Sequence, residues 1–280
     1  MLKYDPVTQD QILIEPNYPP SLVPLLFYSN KQKVLGTMFI TESKGPNPTV
    51  LLLNGHPGNE VNFDIAHMLQ RQGLNVFTFY PRGSWGSQGA YSWKNILEDG
   101  KAAIEYLKDD ACREKFHVDG NKIILIGYSM GGFSALYNSL MFEDIKNICV
   151  IAPFNVGFMG QMIAASPQVK ELAEQKISQT TDFIEGTSTD KLIDEMIEHK
   201  IDWNILNYSN VLYKKNLLII GALYDSTSPV DIHHKPFINS LQKAGAERMQ
   251  DYILASGHSF SNKRIELMKK ISDWVSKINL

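Results

Sequence analysis

The sequence predicts an α/β protein with a mostly parallel central sheet, helices on both faces, an N-terminal antiparallel hairpin and a helical insertion. Short apolar runs alternate with helical patterns from about residue 49 onward, which is the order expected of βαβ units. A turn at 30–32 separates two strand-like runs near the start of the chain. The stretch 155–209 contains no buried-strand run and has helical patterns instead.

The composition is that of an ordinary globular protein. The chain has 280 residues, of which 44% are hydrophobic and 20% charged, and its formal net charge is -3. The mild negative charge and the absence of a basic cluster argue against nucleic acid as a partner. No apolar run approaches the ~18 residues of a membrane helix, and the first residues lack the apolar core of a secretion signal. Two cysteines are too few for a disulfide framework.

From this composition we expect a cytoplasmic protein without nucleic-acid or membrane partners. The sequence leaves open whether the chain forms a homodimer.

The strands follow from apolar runs and their punctuation. In the proline-rich N-terminal region, 11–15, 22–29 and 34–40 are predicted strands, and the last two form the hairpin. Continuous apolar runs then predict strands buried on both faces. These runs are 49–53, 74–80, 122–127, 148–152, 217–223 and 249–254.

Helical spacing of apolar residues fills the intervals between these strands. The predicted helices are 63–70, 93–107, 131–142, 232–244 and 262–278. Two further helices, 159–176 and 189–199, lie in the insertion. We therefore divide the chain into a core, 1–154 and 210–280, and a helical cap, 155–209, expected over one end of the sheet.

A pentapeptide, Gly127-Tyr128-Ser129-Met130-Gly131, lies between a predicted strand and a predicted helix. A Gly-x-Ser-x-Gly sequence in this setting is typical of a nucleophile elbow, which exposes the serine at the ligand-binding end of a parallel sheet. The alternative is a tight turn that happens to contain a serine. A serine hydroxyl is a weak nucleophile, so the hypothesis also requires a base and an acid that orients the base.

Both partners follow later strands in the expected order, acid first and histidine second. Asp225 comes just after the predicted strand 217–223, and His258 comes just after 249–254. Asp231 is the second choice for the acid, although it resembles a residue of the first turn of a helix. His233 and His234 are expected to be solvated or to cap that helix.

Attack on a carbonyl creates an oxyanion, which requires preorganised donors. The backbone N–H of Met130 and that of His56 are the predicted donors, since Pro57 has no N–H. The same loop can also be interpreted as a simple turn after a strand. Tyr128, Phe158 and Met162 are the candidate substrate-binding residues, although aromatic and methionine residues in the cap can equally pack it onto the sheet.

Taken together, five short motifs of this chain resemble those of the α/β-hydrolase superfamily, from about Val34 to the C-terminus. They are Asn54-Gly-His-Pro-Gly, Pro81-Arg-Gly, Gly127-Tyr-Ser-Met-Gly-Gly, Gly221-x-x-x-Asp225-x-x-x-Pro229 and Gly257-His258-Ser. Within the superfamily the chain looks most like single-domain esterases and the catalytic domains of prolyl-oligopeptidase-like peptidases. The resemblance implies an acyl-enzyme on Ser129, with His258 as base and acid and Asp225 as orienter, and no metal or organic cofactor.

The leading hypothesis is a serine hydrolase that cleaves a carboxylic ester of a small or medium acyl substrate. Alternatives are an aminopeptidase-like or acyl-peptide hydrolase, a thioesterase or acyltransferase, and a non-catalytic binding module on a hydrolase scaffold. A peptidase would need an acidic anchor for the substrate amine. The cap offers Glu171, Glu174, Asp182 and Glu185, although such residues usually form a solvated helix face.

Overall fold

The computed structural model describes residues 4–279, which form one eight-stranded sheet flanked by helices. The strand order is β1-β2-β4-β3-β5-β6-β7-β8. The first two strands are antiparallel to their neighbours, and all other pairs are parallel. The predicted fold class is therefore confirmed. The strands are β1 Ser21–Ser29, β2 Gln32–Ile40, β3 Asn47–Leu53, β4 Asn75–Phe79, β5 Val118–Tyr128, β6 Asn147–Ile151, β7 Asn216–Ala222 and β8 Met249–Leu254.

Ten α-helices connect and cover these strands within the described residues. They are α1 Phe63–Arg71, α2 Trp93–Lys108, α3 Asp110–Phe116, α4 Met130–Ser139, α5 Val156–Ala165, α6 Pro167–Ser178, α7 Thr189–Glu198, α8 Ser209–Leu212, α9 Lys235–Lys243 and α10 Arg264–Val275. The predicted helix 232–244 begins as a single π-helical turn, Val230–His234, before α9. The short helices α3 and α8, of seven and four residues, were not predicted, because two turns or fewer carry too little periodicity to recognise.

Two apolar layers cover the two faces of the sheet. Side chains alternate across β3, so that Leu51 packs with α2 and α4 on one face while Val50 and Leu52 pack with α1 and α10 on the other. The apolar runs of the central strands β3 to β7 are buried, as their continuous apolar sequence predicts.

The N-terminal hairpin is confirmed, with Phe27 facing Val34 across β1 and β2. The predicted strand 11–15 is wrong. This segment is an exposed, unpaired stretch whose backbone N–H groups at Ile14 and Glu15 donate to the Glu42 carboxylate. The Glu42 carboxylate therefore accepts the hydrogen bonds that these N–H groups would donate to a neighbouring strand in a sheet.

The cap lies between β6 and β7 and is helical. The single helix predicted for 159–176 is divided into α5 and α6, because Pro167 cannot continue a helix and Ser166 caps the new one. A third apolar cluster attaches α5 and α7 to α2 and α4, and it includes Trp93, Phe133, Met196 and Trp203.

No helix within residues 4–279 is long and apolar enough to cross a membrane.

Candidate active site

Ser129 lies on a sharp turn between β5 and α4. Its backbone has φ 55° and ψ −118°, a conformation that costs a non-glycine residue free energy. The turn is fixed by the Ser129 N–H, which donates to the Ile151 carbonyl at 2.8 Å on the adjacent strand. The hydroxyl is thereby held at the C-terminal edge of the sheet.

The two flanking glycines are required by close backbone approaches. A Cβ on Gly127 would lie 2.1 Å from the Gly131 carbonyl oxygen, and one on Gly131 would lie 2.1 Å from the Leu53 carbonyl oxygen. No side chain fits at such distances. The Gly-x-Ser-x-Gly pattern thus arises because α4 packs directly against β5, the strand before it, and against the end of β3.

Asp225 and His258 meet Ser129 at this edge. The Ser129 Oγ lies 3.0 Å from Nε2 of His258, and Nδ1 of His258 lies 2.6 Å from Oδ2 of Asp225. Asp225 follows β7 and His258 follows β8, so three parallel strands deliver the three side chains to one place. The three residues selected from the sequence are therefore joined by one chain of hydrogen bonds.

The environment of Asp225 favours its ionised form. Burial opposes ionisation, but the hydrogen bond and charge of His258 and the N–H groups of Ser228 and Thr227 outweigh it and lower the pKa of the Asp225 carboxyl. An ionised carboxylate can only accept, so Nδ1 of His258 carries the proton and Nε2 can accept from the Ser129 hydroxyl.

The backbone at both predicted oxyanion donors runs close to Ser129. Met130 is the first residue of α4, so its N–H has no acceptor within the helix. The backbone of Gly55, the residue before His56, also lies close to Ser129, because a Cβ added to Gly55 would be 3.1 Å from Cβ of Ser129. Asn54 fixes this loop by donating to the Phe79 carbonyl and the Thr78 hydroxyl, both at 3.2 Å.

The side chain of His56 joins the core to the cap. Its Nδ1 lies 2.7 Å from the Tyr91 hydroxyl and its Nε2 lies 2.7 Å from the Thr180 hydroxyl. Thr180 donates its own proton to the Ile177 carbonyl, so Nε2 of His56 donates and Nδ1 accepts from Tyr91. Burial lowers the pKa of His56 to about 4, which keeps the ring neutral at physiological pH.

A cavity of about 260 Å³ opens beside His258. Its lining residues are Gly55, His56, Asn59, Glu60, Tyr128, His258 and Ser259. Tyr128, predicted to bind substrate, is a buried wall of this cavity, and its hydroxyl donates to the His258 carbonyl at 3.3 Å.

Phe158 and Met162 do not line this cavity. Both lie on α5 with intermediate exposure, and their role in substrate binding stays a prediction.

The expectation that His233 and His234 are solvated is wrong. Both are only 2% exposed. His233 stacks on Phe154 and accepts from the N–H of Asn155 at 3.0 Å, while Nε2 of His234 lies 2.5 Å from Oδ1 of Asp251. The π-helical turn directs both rings inward, which helical periodicity alone does not indicate.

Asp231, the second choice for the acid, is exposed and pairs with Lys235 at 2.6 Å. Asp231 thus forms a surface ion pair, whereas Asp225 is the acid that contacts His258.

Two residues that support the site were missed in the sequence. Arg264 contacts both Asp64 oxygens, with Nε 2.7 Å from Oδ2 and Nη2 2.5 Å from Oδ1, and Nη1 donates to the Ser259 carbonyl at 3.2 Å. It therefore joins the His258 loop to α1. Glu60 was also missed. Both residues lie in ordinary polar stretches, so no local pattern distinguishes them.

A protein-family model described as BAAT / acyl-CoA thioester hydrolase C terminal matches residues 101–262, more than half of the chain. Among curated proteins, YfhR of Salmonella typhimurium is 32% identical over 89 residues, which is 31% of this chain and 29% of YfhR. The chain therefore aligns with less than a third of that relative's length.

Two solved structures have the same fold. An esterase of Pyrococcus furiosus matches with a TM-score of 0.68 and 18% identity, covering 96% of each chain. The acylaminoacyl peptidase of Pyrococcus horikoshii matches with a TM-score of 0.69 and 17% identity, covering 92% of this chain and 41% of the peptidase.

Proposed function

Because the chain belongs to the BAAT / acyl-CoA thioester hydrolase C-terminal family of the α/β-hydrolase superfamily, we propose that it is a serine hydrolase that cleaves carboxylic esters of small or medium acyl groups. The observation that carries the proposal is the hydrogen-bond chain from Ser129 through His258 to Asp225.

The first half of the reaction forms an acyl-enzyme. The Ser129 Oγ attacks the ester carbonyl carbon while its proton moves to Nε2 of His258. Asp225 holds Nδ1–H and stabilises the imidazolium that results, without taking the proton. When the tetrahedral intermediate collapses, Nε2–H gives the proton to the alcohol oxygen, and the alcohol leaves.

The second half repeats these steps with water. His258 removes a proton from water, the hydroxide adds to the acyl carbon, and the proton returns to Ser129 Oγ as the carboxylic acid is released. In both halves the N–H groups of Met130 and His56 stabilise the oxyanion. We expect the loss of one such donor to lower turnover by about 100- to 1,000-fold.

A thioester substrate is the second candidate. The family to which the chain belongs takes its description partly from acyl-CoA thioester hydrolysis, and the same acyl-enzyme serves both substrates because only the leaving group differs. An acyltransferase would differ only in the acceptor of the second half.

The peptidase alternative receives less support from the cap. Of the four acidic residues considered there, Glu171, Asp182 and Glu185 are exposed, and Glu174 pairs with Lys170 at 3.5 Å. None of these four lines the cavity beside His258, where the acidic residue is Glu60, so the amino-acid anilides below also test this alternative. The binding-module alternative is disfavoured because the hydrogen-bond chain is intact.

A substrate panel tests the proposal. Turnover of p-nitrophenyl acetate, butyrate and octanoate is compared with that of butyryl-CoA and amino-acid p-nitroanilides, on the natural chain and on Ser129→Ala. We expect ester cleavage that decreases by about 10⁴-fold or more in the variant. Preferential thioester or anilide cleavage would replace the ester assignment, and no cleavage of any class would contradict the hydrolase.

A further inference from the structure

The wall of the cavity beside His258 has an unusual electrostatic composition. Glu60 is the one acidic residue in its lining, which contains no lysine or arginine, and the His56 ring in that lining is neutral. Glu60 is half-buried, and within residues 4–279 its carboxylate accepts one hydrogen bond, a long contact of 3.4 Å from the Asn62 N–H. Within residues 4–279 it forms no salt bridge.

One cation lies close enough to act on this carboxylate, but it is bound to other partners. Both Asp64 oxygens and the Asn62 side chain occupy the Arg264 guanidinium. Burial lowers the pKa of Arg264, whereas its bond to Asp64 and the negative charges of Asp64 and Glu60 raise it. Burial raises the pKa of the Tyr128 phenol, the negative charges of Glu60 and Asp225 raise it further, and the positive charge of Arg264 opposes them. Glu60, Tyr128 and Arg264 are therefore electrostatic neighbours.

A carboxylate that forms no salt bridge and lies beside an aromatic ring is suited to a cation. A carboxylate supplies charge to an ammonium group, and an aromatic ring attracts the same group through its negative face. The cavity, at about 260 Å³, has room for a trimethylammonium-sized head. It adjoins the reacting atoms, because His258 and Gly55 are both in its wall.

We propose that this cavity binds an ammonium group of the substrate, with Glu60 as its counter-ion and Tyr128 as its aromatic wall. The inference rests on the proposed function, because it assigns a substrate class to the same site. It favours esters that carry a cation a few bonds from the carbonyl, and it disfavours leaving groups rich in phosphate, which Glu60 would repel.

The other interpretation of Glu60 is purely structural. It lies three residues before α1, where a negative charge favourably meets the positive end of the helix. That role would make Glu60 matter equally for every substrate, so charge discrimination separates the two interpretations.

Two pairs of substrates matched in shape provide the test. For the alcohol half, acetylcholine is compared with 3,3-dimethylbutyl acetate, which has carbon in place of the charged nitrogen. For the acyl half, p-nitrophenyl 4-(trimethylammonio)butanoate is compared with p-nitrophenyl 5,5-dimethylhexanoate. The ratio of kcat/KM within each pair measures the contribution of charge alone.

We expect the natural chain to prefer the cationic member of at least one pair, and Glu60→Gln to reduce that preference about 10-fold. The pair that responds identifies which half of the substrate enters the cavity. Glu185→Gln, which removes an exposed carboxylate of the cap, should leave the ratio unchanged. Equal ratios in the natural chain and in Glu60→Gln would overturn the proposal, while turnover of the neutral esters would still support the hydrolase.

Binding without turnover keeps the two proposals separable. On Ser129→Ala, we expect choline to bind more tightly than 3,3-dimethylbutanol by equilibrium calorimetry, and the difference to disappear when Glu60→Gln is added. Equal binding of the two alcohols, alone and with Glu60→Gln, would overturn the ammonium site whether or not the enzyme cleaves esters.

Discussion

The C-terminal edge of the sheet and the outer part of the cap are held in place by different means. At the sheet edge, the backbone around Ser129 packs so closely that a Cβ on Gly127 or Gly131 would lie 2.1 Å from a carbonyl oxygen. The residues that hydrogen-bond to Ser129 and to each other, His258 and Asp225, follow neighbouring parallel strands. In the cap, helix α6 buries only Ile177, and its end is held by the Thr180–His56 hydrogen bond and by Lys176, which donates to the Ser226 carbonyl. We therefore expect the sheet edge to tolerate few substitutions, whereas substitutions in the outer cap should affect the geometry around Ser129 less.

Replacing the acid breaks the chemical centre most severely. Asp225→Asn should lower kcat about 10⁴-fold, because the amide can stabilise the wrong histidine tautomer and cannot stabilise the imidazolium. Ester turnover measures the effect, with Asp231→Asn as the matched control. Asp231 is exposed and pairs with Lys235, so its variant should stay within about 2-fold of the natural chain. Similar losses in both variants would show that Asp225 has no special part in the reaction.

Glycine-to-alanine substitutions, which add one methyl group, allow the sheet edge and the cap to be compared directly. Gly131→Ala would place a Cβ 2.1 Å from the Leu53 carbonyl oxygen, and Gly160→Ala would place one 1.9 Å from the Met196 carbonyl oxygen. Each should cost about 3 kcal/mol of unfolding free energy. Only Gly131→Ala should also prevent a fluorophosphonate from labelling Ser129, since α5 and α7 belong to the cap.

Gly257→Ala is the control for these two variants. Nothing lies within 4 Å of the added methyl, so stability should change by less than about 0.5 kcal/mol. If Gly160→Ala abolished labelling as Gly131→Ala does, the cap and the sheet edge would form one rigid unit and the comparison would fail.

Two buried histidines at the junction make stability depend on pH. Burial lowers the pKa of His56 and of His233 from 6.5 to about 4. Between these values the unfolded chain binds more protons than the folded one, so stability decreases as the pH falls from 6.5 toward 4. Each histidine should contribute about 3 kcal/mol to this decrease.

Urea unfolding at pH 7 and pH 4.5 measures the decrease. Because neither His56→Gln nor His233→Gln has the corresponding titrating ring, each variant should show a smaller decrease than the natural chain. A pH dependence unchanged in both variants would mean that other groups cause it.

Sequence reasoning was most successful where backbone geometry restricts residue type. Contacts with a carbonyl oxygen require glycine at 127 and 131, and the acid and the histidine follow strands that end at the same edge of the sheet. Ser129, Asp225 and His258 could therefore be selected from the sequence. The buried strands were equally clear, because burial on both faces forces a continuous apolar run.

Side-chain contacts distant in the chain could not be found in this way. The contact of Arg264 with Asp64 spans 200 residues, and that of His56 with Thr180 spans 124. The orientation of His233 depends on a π-helical turn, and only the fold brings Glu60 into the cavity that His258 also lines. The cytoplasmic location and the roles of Phe158 and Met162 stay predictions, and the possible homodimer stays open.

Covalent labelling of Ser129 tests the central claim most directly. The natural chain is treated with a fluorophosphonate at neutral pH, and the adduct is counted by intact mass and located by peptide mapping. We predict one adduct per chain, on Ser129, and a labelling rate reduced by about 10³-fold or more in His258→Ala, which lacks the base. Labelling on another residue, or at an equal rate without His258, would contradict the assignment of Ser129 as the activated nucleophile.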